Sequence, residues 1–333
     1  MLLDAVLGIL AGAVGGILGA WISRKLGVMG VDALKPWRRE RVPDAAGSGL
    51  ALMLAIAMIV SWVVNGGDPS IYSAAVLVLL YNMLVGLADD VWRMDPVTKP
   101  ILTMTSASLV MLVGGLNPQV YIPFFGWARL SIVYPAVLPL LIGVSANAFN
   151  MIDSVNGSMP TAGIVVGLVL IVSGNLMASM LGYQPPVEAM RLLVITVAGL
   201  LAYLLLYNRY PARVFNGDSG SLSIGALIGY LASASKQEAV YLVAITPLIL
   251  NGFQIITTMR GFAERREIPR PTMIDDEGVV RATCDPRSPP TLIQLLTLRE
   301  GLRELEIYVA LVMLYLVAGL AAIAAAYLFY SLA

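Results

Sequence analysis

The chain alternates long apolar runs with short polar, Pro-rich or Gly-rich breaks, on the length scale of membrane spans. A membrane helix needs about 20 mostly apolar residues. Ten runs are of that order: 2–22, 47–65, 71–88, 100–116, 132–150, 159–181, 190–207, 219–234, 238–259 and 306–330. The pattern predicts an all-α integral membrane protein of about ten transmembrane helices, organised as a single polytopic domain over 1–333. The stretch 120–133 (VYIPFFGWARLSIV) is aromatic and β-branched around Gly126, so it predicts a small interfacial hairpin between the fourth and fifth runs. The first run, Met1 to Trp21, lacks a basic leader and is followed by Ser23-Arg24-Lys25, so it reads as a retained helix rather than a cleaved signal peptide. No fixed-period repeat is present, and the longest polar stretch, 260–305, is too short for an independent core.

Composition sharpens this picture. Hydrophobic residues make up 58% of the 333 and charged residues 13%, where a soluble domain has about 45–50% and about 25%. Twenty-one basic and twenty-one acidic residues cancel, which gives no ground for a nucleic-acid partner. The absence of histidine excludes Ser-His-Asp and Cys-His catalysis and His-ligated metals, and the single Cys284 excludes an internal disulfide framework. Acid–base or metal chemistry must therefore rest on carboxylates, amides, Lys or Arg.

The ten runs leave nine connections that alternate between the two sides of a bilayer. The set 23–46, 89–99, 151–158, 208–218 and 260–305 carries eighteen of the twenty-one Lys and Arg residues, and the other side holds only Arg129, Lys236 and Arg191, the last at the start of the 190–207 run. By the positive-inside rule the first set is cytoplasmic and both termini lie outside. The expected site of chemistry is the cytoplasmic face.

Three polar clusters sit at those cytoplasmic helix ends. The third run closes in Gly86-Leu87-Ala88-Asp89-Asp90, and adjacent carboxylates at a membrane boundary repel unless a cation or a base such as Lys99 relieves them. The fifth run leads into Asn147-Ala148-Phe149-Asn150-Met151-Ile152-Asp153-Ser154-Val155-Asn156-Gly157, where Asn147 and Asn150 share a helix face. The eighth is entered through Phe215-Asn216-Gly217-Asp218-Ser219-Gly220-Ser221, a Gly-rich turn whose N–H groups suit phosphate oxygens. Solvated loop aspartates, interhelical amide contacts and an ordinary helix N-cap are the plain alternatives for each cluster taken alone.

Two basic segments complete the face: 35–44, which reads KPWRRERVPD, and 260–287 with Arg260, Arg265, Arg266, Arg270, Arg281 and Arg287. Most of these residues serve the positive-inside signal and anionic headgroups, leaving one or two for a diphosphate. Hard oxygen donors of this kind select Mg²⁺ or Mn²⁺, bound by one or two carboxylates with substrate phosphates, and the combination points to phosphoryl transfer. A carboxylate-based secondary transporter is the alternative from another class, but its acids would lie near the midplane in repeated halves. An intramembrane aspartyl protease would need Gly-x-Gly-Asp, and position 215 is Phe.

The same motifs, Gly30 to Gly49, Gly86 to Lys99, Asn147 to Gly157 and Phe215 to Ser221, resemble the polyprenyl-phosphate N-acetylhexosamine-1-phosphate transferases, of the glycosyltransferase family 4 type. The resemblance implies a ten-helix fold with both termini outside, a UDP-sugar donor, a polyprenyl or dolichyl phosphate acceptor, release of UMP, a homodimer and a place in the plasma membrane. It implies that Asp218 and Asn150 coordinate Mg²⁺ and that Asp89 and Asp90 form the acidic pair near the lipid phosphate. By the same resemblance Lys99 approaches the phosphates, Phe215 stacks on uracil, and Asp153 and Asn156, with Asn147 on the same segment, line the nucleotide site. The histidine-rich last-loop motif of the bacterial cell-wall members is missing. Asn156, the Arg41-Val42-Pro43-Asp44 stretch and Cys284-Asp285-Pro286-Arg287-Ser288-Pro289 look closer to the UDP-GlcNAc:dolichyl-phosphate branch, and an archaeal homologue fits best. In that branch last-loop arginines hold the sugar diphosphate, which makes Arg287 the first candidate, then Arg281 and Arg270. The implied reaction is transfer of GlcNAc-1-phosphate, or of another HexNAc-1-phosphate, as the first step of lipid-linked oligosaccharide or N-glycan synthesis. Direct displacement competes there with an aspartyl-phosphate route through Asp89 or Asp90.

Overall fold

The computed structural model describes residues 1–32, 34–35, 40–258, 269–283, 285 and 287–332. Among the features read from sequence, Arg260, Arg265, Arg266, Cys284, Pro286 and residues 36–39 lie outside the described residues.

Each apolar run falls on helix. In chain order the helices are α1 (Leu2–Leu26), α2 (Gly47–Asn65), α3 (Pro69–Trp92), α4 (Thr98–Leu112), α5 (Tyr134–Ile152), α6 (Ser158–Leu181), α7 (Val187–Tyr203, continued by a π turn over Leu204–Asn208), α8 (Gly217–Ala234), α9 (Glu238–Ala244), α10 (Thr246–Thr258), α11 (Leu292–Leu296) and α12 (Glu304–Ser331). Among the described residues, seven are long and apolar enough to cross a membrane: α1, α2, α3, α5, α6, α7 with its π turn, and α12. Their outward faces carry large apolar side chains such as Ile17, Val63, Leu84, Val317 and Leu320. Exposed apolar groups at this density are stable only against lipid, and the protein is a multi-pass membrane protein.

The remaining runs depart from the expected span for identifiable reasons. The ninth, 238–259, is divided into α9 and α10 at Ile245; Pro247 has no N–H to donate back across that point. Helix α4 is only 15 residues long. Helix α8 has Asp218, Ser219, Ser221 and Ser223 in its first two turns, and from Ser219 to Ala234 every residue is buried. Packed among α2, α3 and α5, it meets protein rather than lipid, so small and hydroxyl residues serve it better than bulky apolar ones.

Among the described residues, strands appear only in the connections. β1 (Met29–Val31) and β2 (Arg41–Pro43) form an antiparallel pair, with Gly30 opposite Val42. β3 (Gln119–Ile122) and β4 (Gly126–Arg129) form the expected hairpin, closed by Phe124 and Gly126 at positive φ. β5 (Thr272–Ile274), β6 (Val279–Ala282) and β7 (Leu302–Arg303) make a three-stranded antiparallel sheet in the last long connection. That sheet has no apolar periodicity of its own, and it runs through β7 directly into α12.

Candidate active site

The site is built where the last turn of α3 meets the first turn of α8. Gly86 permits the approach, since a Cβ there would lie 2.3 Å from the main-chain carbonyl of Asp218. One turn further on, the Asp90 carboxylate accepts hydrogen bonds from the main-chain N–H groups of Asp218 at 2.8 Å and Ser219 at 3.1 Å. Helix α8 has no side-chain cap of its own, so α3 supplies one from outside, placing a carboxylate on the positive end of the helix dipole. Gly217, at φ 66°, makes room for it, because a Cβ there would stand 2.7 Å from Asp90 Oδ2.

Asp90 is thus committed to holding α8, and its neighbour Asp89 turns to Lys99. Asp89 Oδ1 accepts the N–H of Met94 at 2.6 Å, and Oδ2 lies 2.7 Å from Lys99 Nζ on the first turn of α4. The same ammonium donates to Asp218 Oδ2. Lys99 therefore bridges α3 and α8, and its side chain keeps 19% of its surface open. Asn150, in the last turn of α5, donates to Asp218 Oδ1 at 2.8 Å and to Ser221 Oγ at 2.9 Å. Three helix ends converge on one carboxylate.

Two further aspartates join the cluster from the loops. Asp153, just past α5, accepts from Asn216 Nδ2 at 2.7 Å. Burial pushes its carboxyl up to about 8; the amide of Asn216 opposes the rise, and the charges of Asp218, Asp44 and Asp90 add to it. Asp44 follows β2, and burial together with the charge of Asp218 pushes it up to about 6. The Phe215 backbone runs beside this loop, its N–H donating to Pro43 O at 2.8 Å and its carbonyl accepting from Ala46 N–H at 3.0 Å. That pairing holds the Phe215 ring near Gly30, where a Cβ would come within 3.1 Å of Phe Cδ2.

The structure therefore brings Asp89, Asp90, Lys99, Asn150, Asp153, Phe215 and Asp218 together, and adds Asp44. Asn147 lies one turn back on α5, where its amide donates to Thr103 Oγ1 at 3.0 Å and ties α5 to α4. Asn156 is buried, and its side chain donates to Asp32 Oδ2 at 3.2 Å. The last-loop arginines pair with acids of their own segment: Arg287 with Asp285 at 2.9 Å, and Arg281 with Asp275 at 3.7 Å. Arg270 is exposed and offers its carbonyl to Thr283 Oγ1 at 2.6 Å.

Asp44 and Asn216 are the site residues without a role in the sequence reading. Asp44 stands alone in RVPD, with nothing local to tie it to a helix end 174 positions on, the interval from 44 to 218. Asn216 was visible only as part of the turn that contains Phe215 and Asp218.

Five carboxylates, Asp44, Asp89, Asp90, Asp153 and Asp218, thus belong to one cluster, and among the described residues Lys99 is the basic side chain that pairs with two of them, Asp89 and Asp218. No group of three or more acidic or cysteine side chains among the described residues forms a ready cage for a metal. Mg²⁺ does not need one, since it binds through one or two carboxylates and completes its shell with water and substrate phosphates. Hard oxygen donors on Asp218 and Asn150, surplus negative charge, and a lysine already standing as counter-cation on Asp218 all suit a small divalent ion.

The sequence profile of Glycosyl transferase family 4 matches residues 71–236, a stretch that contains Asp89, Asp90, Lys99, Asn150, Asp153, Phe215 and Asp218. A phospho-N-acetylmuramoyl-pentapeptide-transferase of Campylobacter jejuni is 30% identical over 237 residues, covering 64% of this chain and 67% of that protein. One of Campylobacter lari is 32% identical over 209 residues, and there the match spans 56% of this chain and only 59% of the relative. A Sulfolobus acidocaldarius protein is 26% identical over 301 residues, covering 86% of this chain and 88% of its own length. Its name carries UDP-N-acetylglucosamine–dolichyl-phosphate N-acetylglucosaminephosphotransferase as a provisional assignment. The chain belongs to glycosyl transferase family 4, a family of membrane phosphoglycosyltransferases.

Proposed function

We propose that this protein transfers GlcNAc-1-phosphate from UDP-GlcNAc to a polyprenyl phosphate of the dolichyl type in the plasma membrane, releasing UMP in a Mg²⁺-dependent reaction. The observation that carries the reading is the convergence of Asp89, Lys99, Asn150 and Asp218 from four helix ends, those of α3, α4, α5 and α8, into one partly exposed cluster. The match to the Sulfolobus acidocaldarius relative over 86% of the chain, and the lack of histidine, favour the dolichyl-phosphate branch over the cell-wall enzymes. This reading keeps ten spans, both termini outside and the basic connections in the cytoplasm, which puts the cluster on the cytoplasmic face.

In this scheme an oxygen of the lipid phosphate attacks the β-phosphorus of the donor. The new P–O bond forms as the bond from that phosphorus to the bridging oxygen breaks, and UMP leaves with the electron pair. A phosphate monoester has its second pKa near 6, so the acceptor is largely dianionic and needs no strong base. Asp89 orients the acceptor and takes any remaining proton at its carboxylate, while Lys99 stabilises charge on the equatorial oxygens. Phe215 and the 153–156 turn hold the uracil. Asp218 and the amide oxygen of Asn150 would hold Mg²⁺, which when bound neutralises diphosphate charge. The last-loop arginines, Arg281 on β6 with Arg270 and Arg287 on either side of the β5–β6 hairpin, supply the outer contacts to the sugar diphosphate.

The reading is tested with purified protein in detergent, dolichyl phosphate, Mg²⁺ and a panel of UDP-sugars. The expected product is GlcNAc-diphosphate lipid, with UMP in equal amount and only when lipid is present. Formation of another HexNAc-diphosphate lipid would replace the sugar, and no UMP from any donor would overturn the reading.

A further inference from the structure

Behind the 153–157 turn lies a second charged cluster that the transfer chemistry does not use. Lys35, Asp32 and Glu304 are 3%, 4% and 3% exposed. The Lys35 ammonium bridges the two carboxylates and lies over the Tyr210 ring, 4.6 Å from its centroid. Its two carboxylate partners come from opposite ends of the chain, and the Lys35–Glu304 pair spans 269 positions. Asn156 completes the cluster from the nucleotide side: its main-chain N–H donates to Glu304 Oε1 at 3.0 Å and its side-chain amide donates to Asp32 Oδ2 at 3.2 Å. Both donors of one turn residue are thus held by acids that Lys35 holds in place.

Buried ion clusters of this kind contribute little net stability compared with apolar packing, but removing one partner is severe because the others remain charged and buried. What such a cluster does supply is a fixed geometry. Here it fixes three segments at one point: the connection between β1 and β2, the turn that begins at Asp153, and the start of α12. Glu304 directly follows β7, so the β5–β7 sheet with Arg281 hangs from the same anchor.

We propose that Lys35, with Asp32 and Glu304, is a positioning residue for the donor nucleotide, setting the 153–157 turn and the β5–β7 sheet in register across the cleft. This rests on the reading that a uridine nucleotide binds at that turn. Lys35→Met leaves two buried carboxylates facing each other and displaces the turn, so the KM for UDP-GlcNAc rises at least about tenfold while kcat at saturating donor stays within about threefold. Glu304→Ala removes the acceptor for Asn156 N–H and acts in the same direction. Glu304→Gln keeps an oxygen for that N–H and leaves Lys35 in a one-to-one pair with Asp32, so it recovers most of what Glu304→Ala loses.

The test uses the full chain in detergent and measures UMP binding by calorimetry beside the KM and kcat of each variant. The expected result is weakened UMP binding in Lys35→Met and Glu304→Ala, with recovery in Glu304→Gln. If Lys35→Met does not fold, the Glu304 pair decides. Unchanged UMP binding in Glu304→Ala, a fall in kcat with KM unchanged, or equal damage from Glu304→Gln and Glu304→Ala would each overturn the inference while wild-type transfer stands. A wild-type protein that binds no UMP would overturn both this inference and the reading beneath it.

Discussion

Replacing Asp90 separates architecture from chemistry within the Asp89–Asp90 pair. Both Asp90 oxygens are taken by main-chain N–H groups at the start of α8, at 2.8 and 3.1 Å. Asp90→Ala leaves those two donors unsatisfied in a buried junction, at about 1–3 kcal/mol each, or about 2–6 kcal/mol in all. Asp90→Asn keeps one acceptor oxygen and loses roughly half of that. The assay is the thermal-unfolding midpoint in detergent, followed by tryptophan fluorescence, with turnover measured well below the midpoint. The expected order of stability is wild type, then Asn, then Ala, with residual turnover in Asp90→Asn. Asp89→Asn, by contrast, should unfold near the wild-type midpoint and lose turnover. A stable but inactive Asp90→Asn would refute the assignment and make Asp90 a group that touches substrate; a wild-type midpoint in Asp90→Ala would refute the cap.

Two further predictions follow from the same junction. Gly86→Ala places a methyl 2.3 Å from the Asp218 carbonyl, and overpacking of this kind costs about 1–3 kcal/mol; turnover should fall with it, although Gly86 touches no substrate, and an unimpaired Gly86→Ala would show that α3 and α8 do not need this approach. Asp153 has its carboxyl raised to about 8 in the folded protein, against about 4 in the unfolded chain, so the folded state holds the extra proton between those values. Its share of stability therefore falls as pH rises from about 4 to about 8, and Asp153→Asn should remove that slope from the midpoint-versus-pH curve; an identical slope in the variant would contradict it.

Much of this fold was legible because membrane burial writes itself into the sequence as long apolar runs. Helix α8 was located for the same reason, but its buried, serine-rich start was not legible as a junction. Nothing in Phe215-Asn216-Gly217-Asp218 says that the cap comes from Asp90, 128 positions away. The acidic pair was visible as Asp89-Asp90, yet only three-dimensional packing divides it into one residue that caps α8 and one that pairs with Lys99. The β5–β7 sheet and the Lys35–Glu304 contact were illegible for a related reason: short strands in a polar loop have too few alternating positions to register, and an ion pair across 269 positions has no local signature. Asp32 and Lys35 sit at helix spacing in the sequence, but among the described residues neither lies on a helix, and their meaning comes from Asn156 and Glu304.

Asp218, held by Lys99 and Asn150, is the carboxylate proposed here to bind the metal of a sugar-1-phosphate transfer site. The most direct measurement is a Mg²⁺ titration of UMP release from UDP-GlcNAc, with dolichyl phosphate present, on wild-type protein and on Asp218→Ala checked for a native midpoint. The account predicts saturable Mg²⁺ dependence in the wild type and a loss of at least about 10³-fold in Asp218→Ala that no Mg²⁺ concentration restores. Near-normal turnover of Asp218→Ala with an unshifted Mg²⁺ dependence would contradict it.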